Sequence, residues 1–174
     1  MRSQRSSSIL YGATTLVLAW LTYLVLTNDG LRFLDGVNLI FHEAGHWIFF
    51  WGPAFLTVLG GTLGQLLVPL ICLVAFLREA RYISALVMLW WVGENFVNIS
   101  VYAADARAQA LPLLGGDAVG HDWTYLLSHT GLLAHDQLVG MIFFHTGALL
   151  MICTCVVLAA RAMHVGIPRG VHAV

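Results

Sequence analysis

Four long apolar stretches separated by short polar breaks organise the chain, at about residues 9–27, 53–77, 82–104 and 137–160. A bilayer-crossing helix needs about 20 mainly apolar residues, so each stretch is predicted to be a transmembrane helix. Arg2, Arg5 and a serine run precede the first. The segment after it, "NDGLRF", carries no small-x-small cleavage pattern, and a retained helix is expected rather than a signal peptide. Gly52-Pro53 introduces the second stretch, and the polar break at Arg78–Arg81 separates it from the third. The pattern predicts an all-α polytopic membrane protein forming a single domain over 1–174.

Residues 34–51 are patterned differently. Asp35, Asn38, His42 and His46 follow one another at spacings of three and four, which places them on one face of a helix. If this motif helix stays on one side of the bilayer, as a re-entrant or interfacial element, the spans number four. If it crosses, they number five. With four, Arg2, Arg5, Arg78, Arg81, Arg161 and Arg169 share one face, against Arg32 and Arg107 on the other. The positive-inside rule favours that solution. It predicts cytoplasmic termini, a plasma (inner) membrane location, and the motif on the outer face beside a long loop, 105–135.

A second stripe lies in the third span. Glu94, Asn98, Tyr102 and Asp105 stand at i, i+4, i+8 and i+11. Polar side chains on otherwise apolar helices avoid lipid, so the two stripes are expected to face each other. Gly60 and Gly64 in "GGTLGQ" have the small-xxx-small spacing that permits close helix packing, and Gln65 either lines the site or bonds a neighbouring helix.

Composition sharpens the class. Of the 174 residues 59% are hydrophobic and only 10% charged, against about 25% charged in soluble domains. All eight basic side chains are arginines and none is clustered, which excludes a nucleic-acid partner and leaves membrane lipid as the surrounding medium. Cys72, Cys153 and Cys155 lie in apolar runs without metal-site spacing.

The chemistry sits in "HEAGH", residues 42–46. His42 and His46, four apart on a helix, can bind one metal ion. Glu43 is turned about 100° from His42, where it can take a proton from the ion's water instead of binding the ion. This is the H-E-x-x-H arrangement of zinc hydrolases, so zinc is the expected cofactor and Glu43 the catalytic residue. Zinc lowers the pKa of its water and polarises a carbonyl. A third protein ligand is required. The candidates are Asp105 and, in "GHDW", His121 or Asp122, with Glu94 as the fallback. His121 is preferred narrowly over Asp105, and Asp122 could instead orient a ligating imidazole. Asn38, Glu94, Asn98 and Tyr102 are expected to line the site.

Through "HEAGH" on a hydrophobic helix, the sequence resembles membrane-embedded zinc metalloproteases of the site-2-protease type. The resemblance implies that His42 and His46 are zinc ligands, that Glu43 is catalytic, and that the substrate is a peptide or membrane protein. The family's third ligand is an aspartate in an N-x-x-P-x-x-x-L-D-G segment on a later helix. This chain lacks that segment, and Asp105 in "YAADAR" is a later-helix aspartate in a different context. Two other readings compete with a zinc-dependent hydrolase. One is a diiron oxygenase of the desaturase kind, which needs more paired histidines. The other is a non-catalytic protein with a structural metal site or an ion pathway.

Overall fold

The computed structural model describes residues 2–27, 33–112 and 120–166. Among these the chain is all-helical: α1 (Arg2–Thr27), α2 (Phe33–Ile48), α3 (Ala54–Arg78), α4 (Tyr82–Ala104), α5 (Asp122–His129), a 3-10 turn (Leu133–His135) and α6 (Asp136–Gly166). Three helices are long and apolar enough to cross a membrane, over Ser6–Thr27, Ala54–Arg78 and Leu133–His164. The remaining stretch expected to span, residues 82–104, forms the helix α4, 23 residues long. It falls outside that group because Glu94, Asn95 and Asn98 interrupt its apolar run, and all three lie inside the bundle or at its edge. The motif helix ends at Ile48, short of the expected residue 51, because the chain turns through Gly52 into Pro53. The expected outer loop contains α5, whereas Gly115 and its neighbours lie outside the described residues, as do Arg32 and Arg169.

Local chemistry explains the breaks. Pro53, at φ −56°, leads into α3 and its carbonyl accepts from the amides of Leu56 and Thr57. At the other end Ala80 takes a positive φ of 53°, and the amide of Arg81 bonds back to the Phe76 carbonyl. That tight reversal sets α4 antiparallel to α3.

Two packed clusters hold the bundle. Leu18, Val25, Trp90, Val97, Met151 and Leu158 join α1, α4 and α6. Within this apolar layer the Trp90 indole donates to Thr22 Oγ1 at 2.7 Å, and Thr22 in turn donates to the Leu18 carbonyl, so neither polar group is left buried without a partner. Ile99, Ala103, Ala106, Trp123, Leu126 and Leu127 seat α5 against α4. Arg107 ties the segment after α4 to α6 through Asp136, with Nε to Oδ1 at 2.9 Å.

The contact that matters most for the site is between α2 and α3. A side chain at Gly45 would strike the backbone of Gly60, and one at Gly64 the carbonyl of Phe41. The two helices therefore meet backbone to backbone, antiparallel, as glycine-lined helix pairs in membranes do. This approach carries the imidazoles of α2 directly over α3.

Candidate metal centre

His42 is buried and His46 half-buried on the α2 face that meets α3. Their rings lie 4.8 Å apart at 80°. His42 Nε2 is 2.8 Å from Asp122 Oδ2, and His46 Nε2 is 3.2 Å from the same oxygen. One ligand atom from each of the three residues lies within 4.8 Å of the other two, an arrangement that could hold a metal ion.

Each imidazole is fixed from behind. His42 Nδ1 is 3.0 Å from Gln65 Oε1, and His46 Nδ1 is 2.9 Å from the Thr57 carbonyl. An imidazole held by an acceptor at Nδ1 presents, once Nε2 has lost its proton, a bare lone pair at Nε2, the form that binds metal. Both Nε2 atoms point to the same place.

That place is left open by Gly61. A Cβ there would lie 2.5 Å from His42 Nε2 and 2.6 Å from His46 Nε2, not far beyond the about 2.0–2.1 Å of a zinc–imidazole bond. The donor set and the space beside Gly61 thus fit an ion. Two imidazoles and one carboxylate suit zinc and several other divalent metals.

The polar stripes of α2 and α4 meet as their spacing predicts. Asn38 donates to Glu94 Oε2 at 2.8 Å and accepts from the Trp91 indole at 3.0 Å. Asn98 donates to Asp35 Oδ1 at 2.9 Å and accepts from Gln65 Nε2 at 3.2 Å. The Tyr102 ring stands edge-on to His42, and its hydroxyl accepts from the Asp122 amide at 3.2 Å. Tyr102 thereby positions the start of α5.

The third member of the group is Asp122, where the sequence favours His121 or Asp105. The reason is the register of α5. His121 is its N-cap, with Nδ1 accepting from the Thr124 amide at 3.2 Å, and its Nε2 lies 3.4 Å from Asp105 Oδ2. Asp105 also receives the amides of Ala110 and Leu111, each at 3.0 Å. Both residues are therefore occupied in building the corner, while Asp122, one position later, projects from the first turn towards the histidines. Glu43 is exposed and outside the three-residue group, though its charge acts on His46. His129, His135 and His145 are exposed and stand apart from the group.

Gly61 and Thr57 carry roles that the sequence reading does not assign. Their signal is nonetheless present: Thr57, Gly61 and Gln65 recur every four residues, one polar or small position per turn on the α3 face below the motif.

The electrostatics suit a cation. The hydrogen bond that His46 gives to Asp122 lifts its pKa to about 8 against the opposing effect of burial, with the Thr57 carbonyl and the charges of Asp122 and Glu43 adding to the rise. Burial pushes Asp122 up, but the bonds from His42 and His46 prevail and hold it below the usual carboxylate range. Desolvation lowers His121, with Asp105 opposing. A metal must displace the His46 proton wherever that proton is present. Zinc affinity is therefore expected to be level above pH 8 and to fall by up to about tenfold per unit below it. Competition titrations at pH 6, 7, 8 and 9 measure this, and an affinity constant from 6 to 8 would contradict it. Asp122 contributes no proton in that window.

No protein-family model matches the chain, and neither a curated protein nor a solved structure matches it.

Proposed function

We propose that this chain is an integral membrane, zinc-dependent hydrolase, with metallopeptidase activity of the site-2-protease type as the leading form. The observation that carries the reading is the convergence of His42 Nε2, His46 Nε2 and an Asp122 oxygen beside the space at Gly61, with a glutamate at the next position after the first histidine. His42, His46 and Asp122 would hold the ion, which supplies Lewis acidity towards a carbonyl and lowers the pKa of water. Glu43 takes the proton from the attacking water and returns it to the leaving group. The substrate is a peptide or membrane protein that reaches the site at the membrane boundary.

In this reading α4 is a fourth span and α2 an interfacial helix near the outer face of a plasma (inner) membrane. The start of α1 meets the end of α6 through Ser8 Oγ, which donates to the Ala162 carbonyl at 2.7 Å. A surface depression joins Ser7, Leu10 and Tyr11 to Arg81 and Tyr82. Arg78, Arg81 and Arg161 thus gather at one end of the bundle, supporting cytoplasmic placement of that end. Trp47 and Trp51 are 77% and 91% exposed beside the motif, as befits aromatic side chains at a lipid–water boundary.

The test is metal content and turnover together. Purified protein in detergent should carry about one zinc per chain, the stoichiometry of a single three-ligand catalytic site, and lose it in His46→Ala. Glu43→Gln should keep the zinc and lose at least about a hundredfold in hydrolysis of a casein or peptide-library substrate. Wild-type protein without zinc after supplementation, or Glu43→Gln with full turnover, would refute the reading. About two irons per chain would point to the oxygenase.

A further inference from the structure

We propose that Asp35 sets the tautomer of His42 from three hydrogen bonds away, through Asn98 and Gln65, and is a positioning residue of the metal centre. The inference rests on the metal-site reading above.

The path runs in one direction. A carboxylate only accepts hydrogen bonds, so the Asn98 group facing Asp35 must be its amino group, and Asn98 Nδ2 stands 2.9 Å from Asp35 Oδ1. The Asn98 carbonyl then faces Gln65, which must give its own amino group, at 3.2 Å. That leaves Gln65 Oε1, an acceptor, against His42 Nδ1 at 3.0 Å. His42 Nε2 also faces an acceptor, Asp122 Oδ2, at 2.8 Å. When an ion takes up Asp122 and the Nε2 proton leaves, the proton His42 keeps is therefore the one on Nδ1, and its Nε2 lone pair points to the space beside Gly61. Side-chain amides can turn over at little cost unless their surroundings choose one orientation. Here the choice is made at the only residue in the path that has no donor to offer, and each link passes it on.

The two histidines differ in this respect. His46 Nδ1 is opposed by the Thr57 carbonyl at 2.9 Å, a backbone acceptor that cannot be reversed. His42 is opposed by a reversible amide, and so depends on something further away to fix its sense. With the amides reversed, Gln65 would present its amino group to Nδ1, the proton would sit on Nε2, and the ion would lose a ligand.

Zinc affinity in paired variants reads the relay directly. Asp35→Asn removes the directional end, since an asparagine can both donate and accept, and is expected to weaken zinc binding about tenfold, within the range of outer-shell losses. In a Gln65→Glu background the outcome should reverse. The introduced carboxylate is itself an acceptor for His42, but it sets an oxygen against Asn98 Oδ1. Asp35→Asn then lets Asn98 turn over and relieves that clash, leaving zinc affinity unchanged or stronger. A residue that merely braced α2 against α4 would cost the same in both backgrounds. Equal weakening in the two backgrounds, or none in the wild-type background, would overturn the relay.

Nitrogen-15 spectra of histidine-labelled, zinc-loaded wild type give a check that needs no variant to fold. They should show His42 bound through Nε2 and protonated at Nδ1, and zinc on Nδ1 would overturn the proposal. His46→Ala separates the two levels. Zinc bound by the wild type and lost there, with no background dependence of Asp35→Asn, removes the relay and leaves the metal centre. A wild type that binds no zinc removes both.

Discussion

Gly61→Ala is expected to abolish zinc binding while leaving the helices folded. The added methyl would stand 2.5–2.6 Å from Nε2 of both His42 and His46, well inside van der Waals contact. The rings cannot step aside cheaply, because Gln65 and the Thr57 carbonyl hold their far sides. The methyl thus takes the very volume an ion needs. Zinc affinity should fall by more than about a hundredfold, beyond the usual effect of losing one outer-shell partner. Helix content should persist, since alanine favours helix over glycine by about 1 kcal/mol and the atoms it meets are imidazole tips, not backbone. Zinc analysis beside circular dichroism measures both. A Gly61→Ala protein that still binds zinc at wild-type affinity would show that the ion, if any, sits elsewhere.

Asp122→Ala and His121→Ala should separate completely. Asp122 gives one oxygen to both histidines, and its removal leaves two imidazoles where a catalytic zinc needs three protein ligands. The expected loss of zinc affinity is about a thousandfold, larger than any outer-shell effect. His121→Ala instead removes the cap of α5 and the contact with Asp105. A lost cap costs about 1 kcal/mol, so this variant should melt earlier and keep its zinc. Zinc competition and thermal melting of the pair decide the matter. Zinc retained in Asp122→Ala and lost in His121→Ala would reverse the assignment.

The helices were legible because their apolar runs are long and their breaks chemically explicit. The α2 stripe is legible because ionisable groups at helical spacing in an apolar segment have few harmless uses, and the same argument sets it against the α4 stripe. Which residues pair, Asp35 with Asn98 and Asn38 with Glu94, needs the structure. The third member of the metal group was not legible from adjacent residues. His121 and Asp122 offer similar chemistry, and only the start of α5 decides which of them caps the helix and which faces the histidines. The Thr57 carbonyl is a backbone atom and leaves no trace in residue identity. Gly61 was hidden for a different reason: beside Gly60 and Gly64 it reads as one more small packing residue, yet its use is to leave room on the ligand side. Asp35 stands in the stripe, but Asn98 and Gln65, which link it to His42, lie on two other helices and share no sequence pattern with it.

The separation between the ligands also bears on how the protein is made. His42 and His46 come from one helix, and their backing atoms on α3 follow within about two dozen positions, but Asp122 lies 80 positions beyond His42. A ribosome delivers the paired imidazoles early and the carboxylate only after α4 has been synthesised. If an ion needs all three groups, it can be held only once α5 has docked; until then the chain offers the two imidazoles alone.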